Sequence, residues 1–246
     1  MTNTTNPTNS YTVPSVSIAT AHTGASSKAN ELGMRTMQER AYTKRGEQYL
    51  LIKSPPASGK SRALMFIALD KLNNQGLQQA IVVVPERSIG GSFADESLSQ
   101  HGFYWDWQVG PQWNLCNAPG IDEPRVAKSK VDAVRAFLDS SDKVLVCTHA
   151  TFRFAVEELG IDAFDNRLIA IDEFHHVSAN PDNKLGSQLS AFINRDKVHL
   201  VAMTGSYFRG DSEAVLAPSE ENKFETVTYT YYCLLYTSDA ADDTPC

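Results

Sequence analysis

"SPPASGKS", Ser54 to Ser61, follows directly on the apolar run "YLLI". Its last three letters fit the phosphate-binding pattern G-x-x-x-x-G-K-[ST]. The first glycine of that pattern is replaced by Ser54, and two prolines fill the loop. What gives such a loop its chemistry is its setting: a strand, a tight turn, then a helix whose N-terminus favours negative charge. Both halves of that setting are present. "QYLLIKS" reads as a strand, and "KSRALMFIALDKLNNQG" has helical spacing, with Leu64, Ile67, Ala68 and Leu72 on one face and Gly76 as the stop. In that setting Gly59 lets backbone approach a phosphate closely. Lys60 reaches the β- and γ-phosphates, and Ser61 can offer its hydroxyl to Mg²⁺.

The same alternation continues outward. "ELGMRTMQERAYTKRG" reads as a short helix ending near Gly46. "QAIVVVP" is a continuous β-branched run, as suits a strand buried on both faces of a parallel sheet. Then come "SKVDAVRAFLDSSD" (helix), "KVLVCTH" (strand), "ATFRFAVEELG" (helix), "RLIAIDE" (strand), "KLGSQLSAFINRD" (helix) and "KVHLVAMTG" (strand). Strands that alternate with helices imply right-handed crossovers. The expected fold class is α/β, a doubly wound, mainly parallel sheet with helices on both faces. Gly102 to Lys130 breaks the rhythm and holds all three tryptophans, Trp105, Trp107 and Trp113. That segment is expected to be a structured insertion, or a long loop with one or two extra strands. Its aromatics would cover a small satellite core or, if exposed, stack on bases.

In open α/β sheets ligands bind at the carboxyl ends of the strands. The residues standing there are not arbitrary loop sequence. After "RLIAI" comes "DEFHH", Asp172 to His176. Downstream of a phosphate loop, Asp172 would hold Mg²⁺ through water and Glu173 would orient or deprotonate an attacking water. A lone Asp-Glu would read equally well as an acidic helix start. The other strands end in "PERS", "THATF" and "TGS" (Thr204 to Ser206), all small or polar.

This order of motifs resembles the first RecA-like domain of the superfamily 2, DEAD/DEAH-box-like helicases and translocases, over roughly Leu32 to Tyr232. The resemblance implies a P-loop NTPase fold, ATP and Mg²⁺ as cofactors, and a nucleic-acid partner, DNA ahead of RNA. "MRTMQ" resembles the Q-motif region, so Gln38 would contact adenine. "SPPASGKS" is similar to motif I, giving Ser58, Gly59, Lys60, Ser61 and Arg62 to the nucleotide, with Ser61 and Asp172 at the metal. "VVVPERS" looks like motif Ia, with Pro85 and Arg87 beside a nucleic-acid backbone. "VCTHATF" looks like the motif ending in Thr-Thr-His, with Thr148 and His149 near the strand track. "DEFH" is similar to motif II, with Asp172 and Glu173 as catalytic residues beside Lys60. His175, Thr204, Gly205 and Ser206 would couple nucleotide state to nucleic-acid contact. The third letter of "DEFH" departs from both the DEAD and DEAH forms. Ser54 departs from motif I, although this family often lacks that glycine.

The whole chain of 246 residues is 42% hydrophobic, with 22 basic against 29 acidic residues and a net charge of −7. That balance excludes a generally basic nucleic-acid binder, so contact with a phosphate backbone must be local. No apolar stretch nears the ~20 residues of a membrane span. Cys116, Cys147, Cys233 and Cys246 have neither metal nor disulfide-framework spacing, which suits a reducing cytoplasm. Residues 1–30, rich in Thr, Asn and Ser, read as a disordered tail. Residues 31–232 read as the ATP-binding domain. Residues 233–246, "CLLYTSDAADDTPC", resemble read-through into a transposase-type sequencing adapter, so a second RecA-like domain is expected to be missing after Tyr232. Two alternatives stand beside the helicase. One is a terminase-like phage DNA-packaging ATPase; the other is a nucleotide-binding module without turnover in the isolated fragment.

Overall fold

The computed structural model describes residues 30–116, 124–177, 184–205, 216–230 and 233. The expected disordered tail up to residue 29, the adapter-like tail after Cys233, and Ser206 lie outside the described residues. Among the described residues no helix is long and apolar enough to cross a membrane.

Six strands form one sheet: β1 (Tyr49–Lys53), β2 (Ala80–Val84), β3 (Val144–Thr148), β4 (Leu168–Ile171), β5 (His199–Thr204) and β6 (Glu225–Thr228). Their order is β3-β2-β4-β5-β1-β6. Every pairing is parallel. Such a sheet needs both faces covered, and the strand sequences show it: all residues of β2, β3 and β4 are buried. Side chains alternate between two cores. Leu50, Ile52, Val82, Val84, Val146, Ala170, Val201 and Met203 face one, while Leu51, Ile81, Val83, Leu145, Ile169, Ile171, Leu200 and Ala202 face the other.

Helices α1 (Thr36–Thr43) and α2 (Lys60–Asn74) cover the first face. Helices α3 (Pro124–Leu138), α4 (His149–Leu159) and α5 (Lys184–Arg195) cover the second. On α5, Leu185, Leu189, Phe192 and Ile193 recur at helical spacing and are buried together. The short α6 (Pro218–Glu221) leads into the edge strand β6.

Two expectations need correction. The first helix is shorter than its sequence pattern: Gly33 sits at φ +71° and the Asn30 side chain accepts from the amides of Leu32 and Met34, so a turn occupies the start of the stretch. The tryptophan segment adds no strand among the described residues. It is built from short 3-10 turns and two isolated bridges, Glu96–Trp107 and Asn114–Val146. Nor does it make a satellite core. Trp107 is fully buried in the first main core, its indole N–H donating to the Phe93 carbonyl at 3.0 Å.

Candidate functional site

The carboxyl ends of β1, β4 and β5 bring most of the expected residues into one place. The loop after β1 is tied to the end of β5 by the Ser54 amide, which donates to the Thr204 carbonyl at 3.0 Å. Inside the loop the Ser54 and Ser58 hydroxyls meet at 2.6 Å, and both residues are buried. Gly59 caps α2 at φ +90°, a conformation that strains any other residue. A side chain there would also strike the Gln38 amide nitrogen, which lies 2.5 Å from where its Cβ would be. Gln38 itself is buried on α1. Its carbonyl oxygen accepts from the Arg35 amide at 2.9 Å, and its NH₂ donates to the Gly59 carbonyl at 3.2 Å. The helix expected at the adenine end of the site thus rests on the phosphate loop.

Lys60 is the first residue of α2 and is buried. Its ammonium donates to the Ser54 and Pro55 carbonyls, each at 3.1 Å. Burial pushes its pKa down, while Glu173 and Asp172 pull it back up. A Cβ on Gly205 would stand 3.3 Å from that ammonium, so the start of "TGS" closes over it.

Asp172 is 5% exposed. Burial and the charge of Glu173 raise its carboxyl to about 6, with Lys60 acting the other way. One of its oxygens accepts from the Glu173 amide at 2.9 Å. Glu173 adopts φ +48°, a left-handed conformation costing of order 1–3 kcal/mol for a non-glycine residue and kept only where the surroundings impose it. Its carboxylate lies 3.2 Å from His175 Nδ1 and accepts from the Gly205 amide at 3.4 Å. His175 Nδ1 is also 3.0 Å from the Thr204 hydroxyl. Glu173, His175, Thr204 and Gly205 therefore make one network joining the end of β4 to the end of β5.

The donor set fits a nucleotide triphosphate and its metal. An ammonium and the unpaired amides of the first turn of α2 suit phosphate oxygens. Among the described residues no group of three or more His, Cys, Asp or Glu could hold a metal ion. Mg²⁺ keeps several waters and takes one or two protein oxygens plus phosphate oxygens. Ser61 and Asp172 are the candidates.

Other expected site residues have different partners. Arg62 points away from the loop, to the Glu96 carboxylate at 2.8 Å and the Gly33 carbonyl. It ties the N-terminal turn to the stretch that precedes the tryptophan segment. Thr148 is buried and caps α4, its hydroxyl accepting from the Thr151 amide at 3.2 Å. His149 Nε2 lies 3.0 Å from the Asp172 carbonyl, and burial lowers its pKa to about 4. A neutral imidazole so placed holds motif II in position and offers no charge to a phosphate. Arg87 donates to the Cys116 carbonyl at 3.0 Å and remains on the surface beside Pro85. Sequence reasoning missed the Ser54–Ser58 pair, the Gln38–Gly59 bond and the His149–Asp172 bond. Only the first had a local signal, two hydroxyls four residues apart in a loop.

The family model for DEAD/DEAH box helicases matches residues 35–211. YeeB of Bacillus subtilis (strain 168), whose name places it among ATP-dependent helicases, is 57% identical over 210 residues. The match covers 85% of this chain and 34% of YeeB, so the chain spans about a third of that relative's length. Among solved structures, the DUF1998 helicase MrfA bound to DNA is similar with a TM-score of 0.50 and 13% identity, covering 80% of this chain and 27% of that one. The Pyrococcus furiosus Hef helicase domain gives a TM-score of 0.49 and 17% identity, covering 81% and 39%. At such identity the MrfA likeness is one of fold.

Proposed function

Because the chain belongs to the DEAD/DEAH box helicase family, we propose that it is the ATP-binding part of an ATP-dependent nucleic-acid helicase or translocase. The observation that carries this reading is the convergence of Lys60, Asp172, Glu173 and Gly205 at the carboxyl ends of β1, β4 and β5. Bound Mg-ATP would supply the phosphoryl group to be transferred. The chain's own residues hold it: Lys60 leaves the Ser54 and Pro55 carbonyls for phosphate oxygens, and the α2 amides complete the cradle. Ser61 and Asp172 take the metal. Glu173 accepts a proton from the attacking water, which is general-base catalysis worth about 10²–10⁴ in rate. Gln38 keeps one N–H on Gly59 and has a second to offer adenine. Ser58 and Gly59 shape the loop, while Arg62 supports it from behind.

His175, Thr204 and Gly205 would sense whether Glu173 faces a γ-phosphate, and Ser206 would extend that element. Pro85 and Arg87 would lie along the nucleic-acid backbone, with DNA as the expected substrate. Thr148 and His149 then form the floor under that track. Family membership favours the helicase over a packaging ATPase. In the longer protein, a second RecA-like domain would supply the opposite wall of the site and its arginines.

The test is a nucleotide-binding titration with a fluorescent ATP analogue, followed by single-turnover ATPase with and without single-stranded DNA, on this chain and on the longer protein. The expected result is nucleotide binding by both, with DNA-stimulated turnover in the longer protein. A chain that binds no nucleotide at millimolar concentration overturns the reading. Binding without turnover in either form would favour the non-enzymatic module.

A further inference from the structure

The tryptophan insertion leaves an open groove of about 810 Å³ that shares no residue with the site just described. Ser141, Asp142, Lys143 and Val144 line it at the amino end of β3, whereas Lys60, Asp172 and Gly205 stand past the carboxyl ends of their strands. Its volume is that of a ligand-binding cleft. Tyr104 and Trp105 are 42% and 40% exposed there, and Trp113 forms another aromatic wall. Tyr104 is fixed in place by its hydroxyl, which donates to Asp70 at 2.5 Å, a carboxylate that also accepts from the Tyr42 hydroxyl of α1 at 2.9 Å.

Charge decides what such a groove takes. Among the described residues its lining carries Asp95, Asp106 and Asp142 against one cation, Lys143. Lys143 turns its ammonium to the Gln78 carbonyl at 3.3 Å. The carboxylates are held in position. Asp95 accepts from the Val109 amide at 2.8 Å, Asp106 from the Ser99 amide at 2.8 Å, and Asp142 from the Trp113 indole at 2.6 Å. The Ser99 bonds also keep the Asp106 carboxyl below the usual carboxylate range, so it is ionised at neutral pH. Each carboxylate has about four lone-pair sites, so these bonds leave acceptor capacity toward the groove. Anionic walls repel a phosphate backbone, which argues against Trp105 as a base-stacking platform. Exposed aromatic faces next to fixed carboxylates match a guanidinium, which stacks on rings and bonds carboxylates through its planar fork.

We propose that this groove is a docking site for a partner protein presenting an arginine-bearing extended segment. The site stands apart from the ATP reading, and either can fail without the other. The test uses the full chain and a fluorescein-labelled nonapeptide carrying three arginines spaced by Gly and Pro, with a glutamine-for-arginine peptide as control. Fluorescence anisotropy at low salt is expected to give saturable one-to-one binding to the arginine peptide, accompanied by a change in tryptophan emission. Trp105→Ala is expected to weaken binding about tenfold. Asp106→Asn keeps an acceptor for the Ser99 amide, so it tests the charge without unfolding the turn, and it too is expected to weaken binding. Equal binding of the glutamine peptide, or binding unchanged in both variants, overturns the proposal. A single-stranded oligonucleotide whose binding is lost in Trp105→Ala also overturns it, in favour of base stacking.

Discussion

Helix α2 buries a lysine near each end, and the two are treated in opposite ways. Lys71, in the last turn, is fully buried and has three partners. Its ammonium donates to the Glu47 carbonyl at 2.5 Å and the Gln75 side chain at 3.4 Å, and lies 3.1 Å from His199 Nδ1. The helix dipole favours a cation at that end. Burial still lowers its pKa to about 8, while Asp70 and Glu47 raise it. Lys60 sits at the N-terminus, where the dipole disfavours a cation, and its partners are two carbonyls of its own loop. A buried charge at the wrong end of a helix is unfavourable, and the nearby charges of Glu173 and Asp172 offset the burial only in part. One end of α2 closes the fold, and the other, on the function proposed above, is where phosphate would dock.

The largest effect should come from the group that acts beside Lys60 without binding for it. Glu173→Gln keeps the shape and the acceptor for Gly205 but cannot take a proton. On the proposed reading, the DNA-stimulated turnover expected of the longer protein should fall about 10²–10⁴-fold with ATP-analogue affinity retained. A parallel loss of affinity would mean that Glu173 belongs with binding and not with chemistry.

The two lysines then separate. Lys60→Ala should lower nucleotide affinity about 10- to 100-fold, the worth of a charge-assisted hydrogen-bonded contact, with little change in urea stability. Lys71→Ala should leave affinity within about twofold while costing roughly 2–4 kcal/mol of stability, because it opens a cavity and orphans the Glu47 carbonyl. Equal affinity losses in the two variants would erase the distinction between the ends of α2.

What the sequence disclosed divides along a similar line. Continuous apolar runs and helical spacing are local signals, so the first five strands and the helices between them could be read directly, whereas the half-exposed edge strand β6 carries no such run. The identity of strand-end residues was legible for the same reason. Partners were not. Arg62 could have faced a phosphate or a carboxylate, and its choice of Glu96 depends on a residue 34 positions away. His149 finds the Asp172 carbonyl across 23 positions, and Trp107 enters the main core because Phe93 offers it a carbonyl. Such contacts are set by how elements pack, and no residue pattern announces them.

A smaller effect sharpens the electrostatic side of the comparison. The folded chain holds a proton on Asp172 up to about pH 6, whereas an unfolded chain releases it near the usual 3.8. Folding stability therefore falls as pH rises from about 4 to about 6, by at most ~3 kcal/mol from this group. Asp172→Asn should be more stable than the wild type at pH 7.5, and the advantage should vanish near pH 4. Urea denaturation at both pH values measures it. A variant less stable at pH 7.5 would show that attraction to Lys60 outweighs the burial penalty.

The smallest effect concerns the departure from the motif with which the loop began. Ser54 occupies the glycine position, is fully buried, and bonds Ser58 at 2.6 Å while its amide reaches the Thr204 carbonyl. The backbone bond does not depend on the side chain, and Ser54 is absent from the positive-φ residues, so no glycine is needed there. What the hydroxyl adds is one buried hydrogen bond across a loop stiffened by Pro55 and Pro56. Ser54→Ala should therefore cost about 1 kcal/mol of stability and change nucleotide affinity less than about threefold. A tenfold loss would mean that the Ser54–Ser58 bond fixes the loop for phosphate. Lys60's two carbonyl partners, Ser54 and Pro55, would then be its resting cradle by design of the side chains as well as of the backbone.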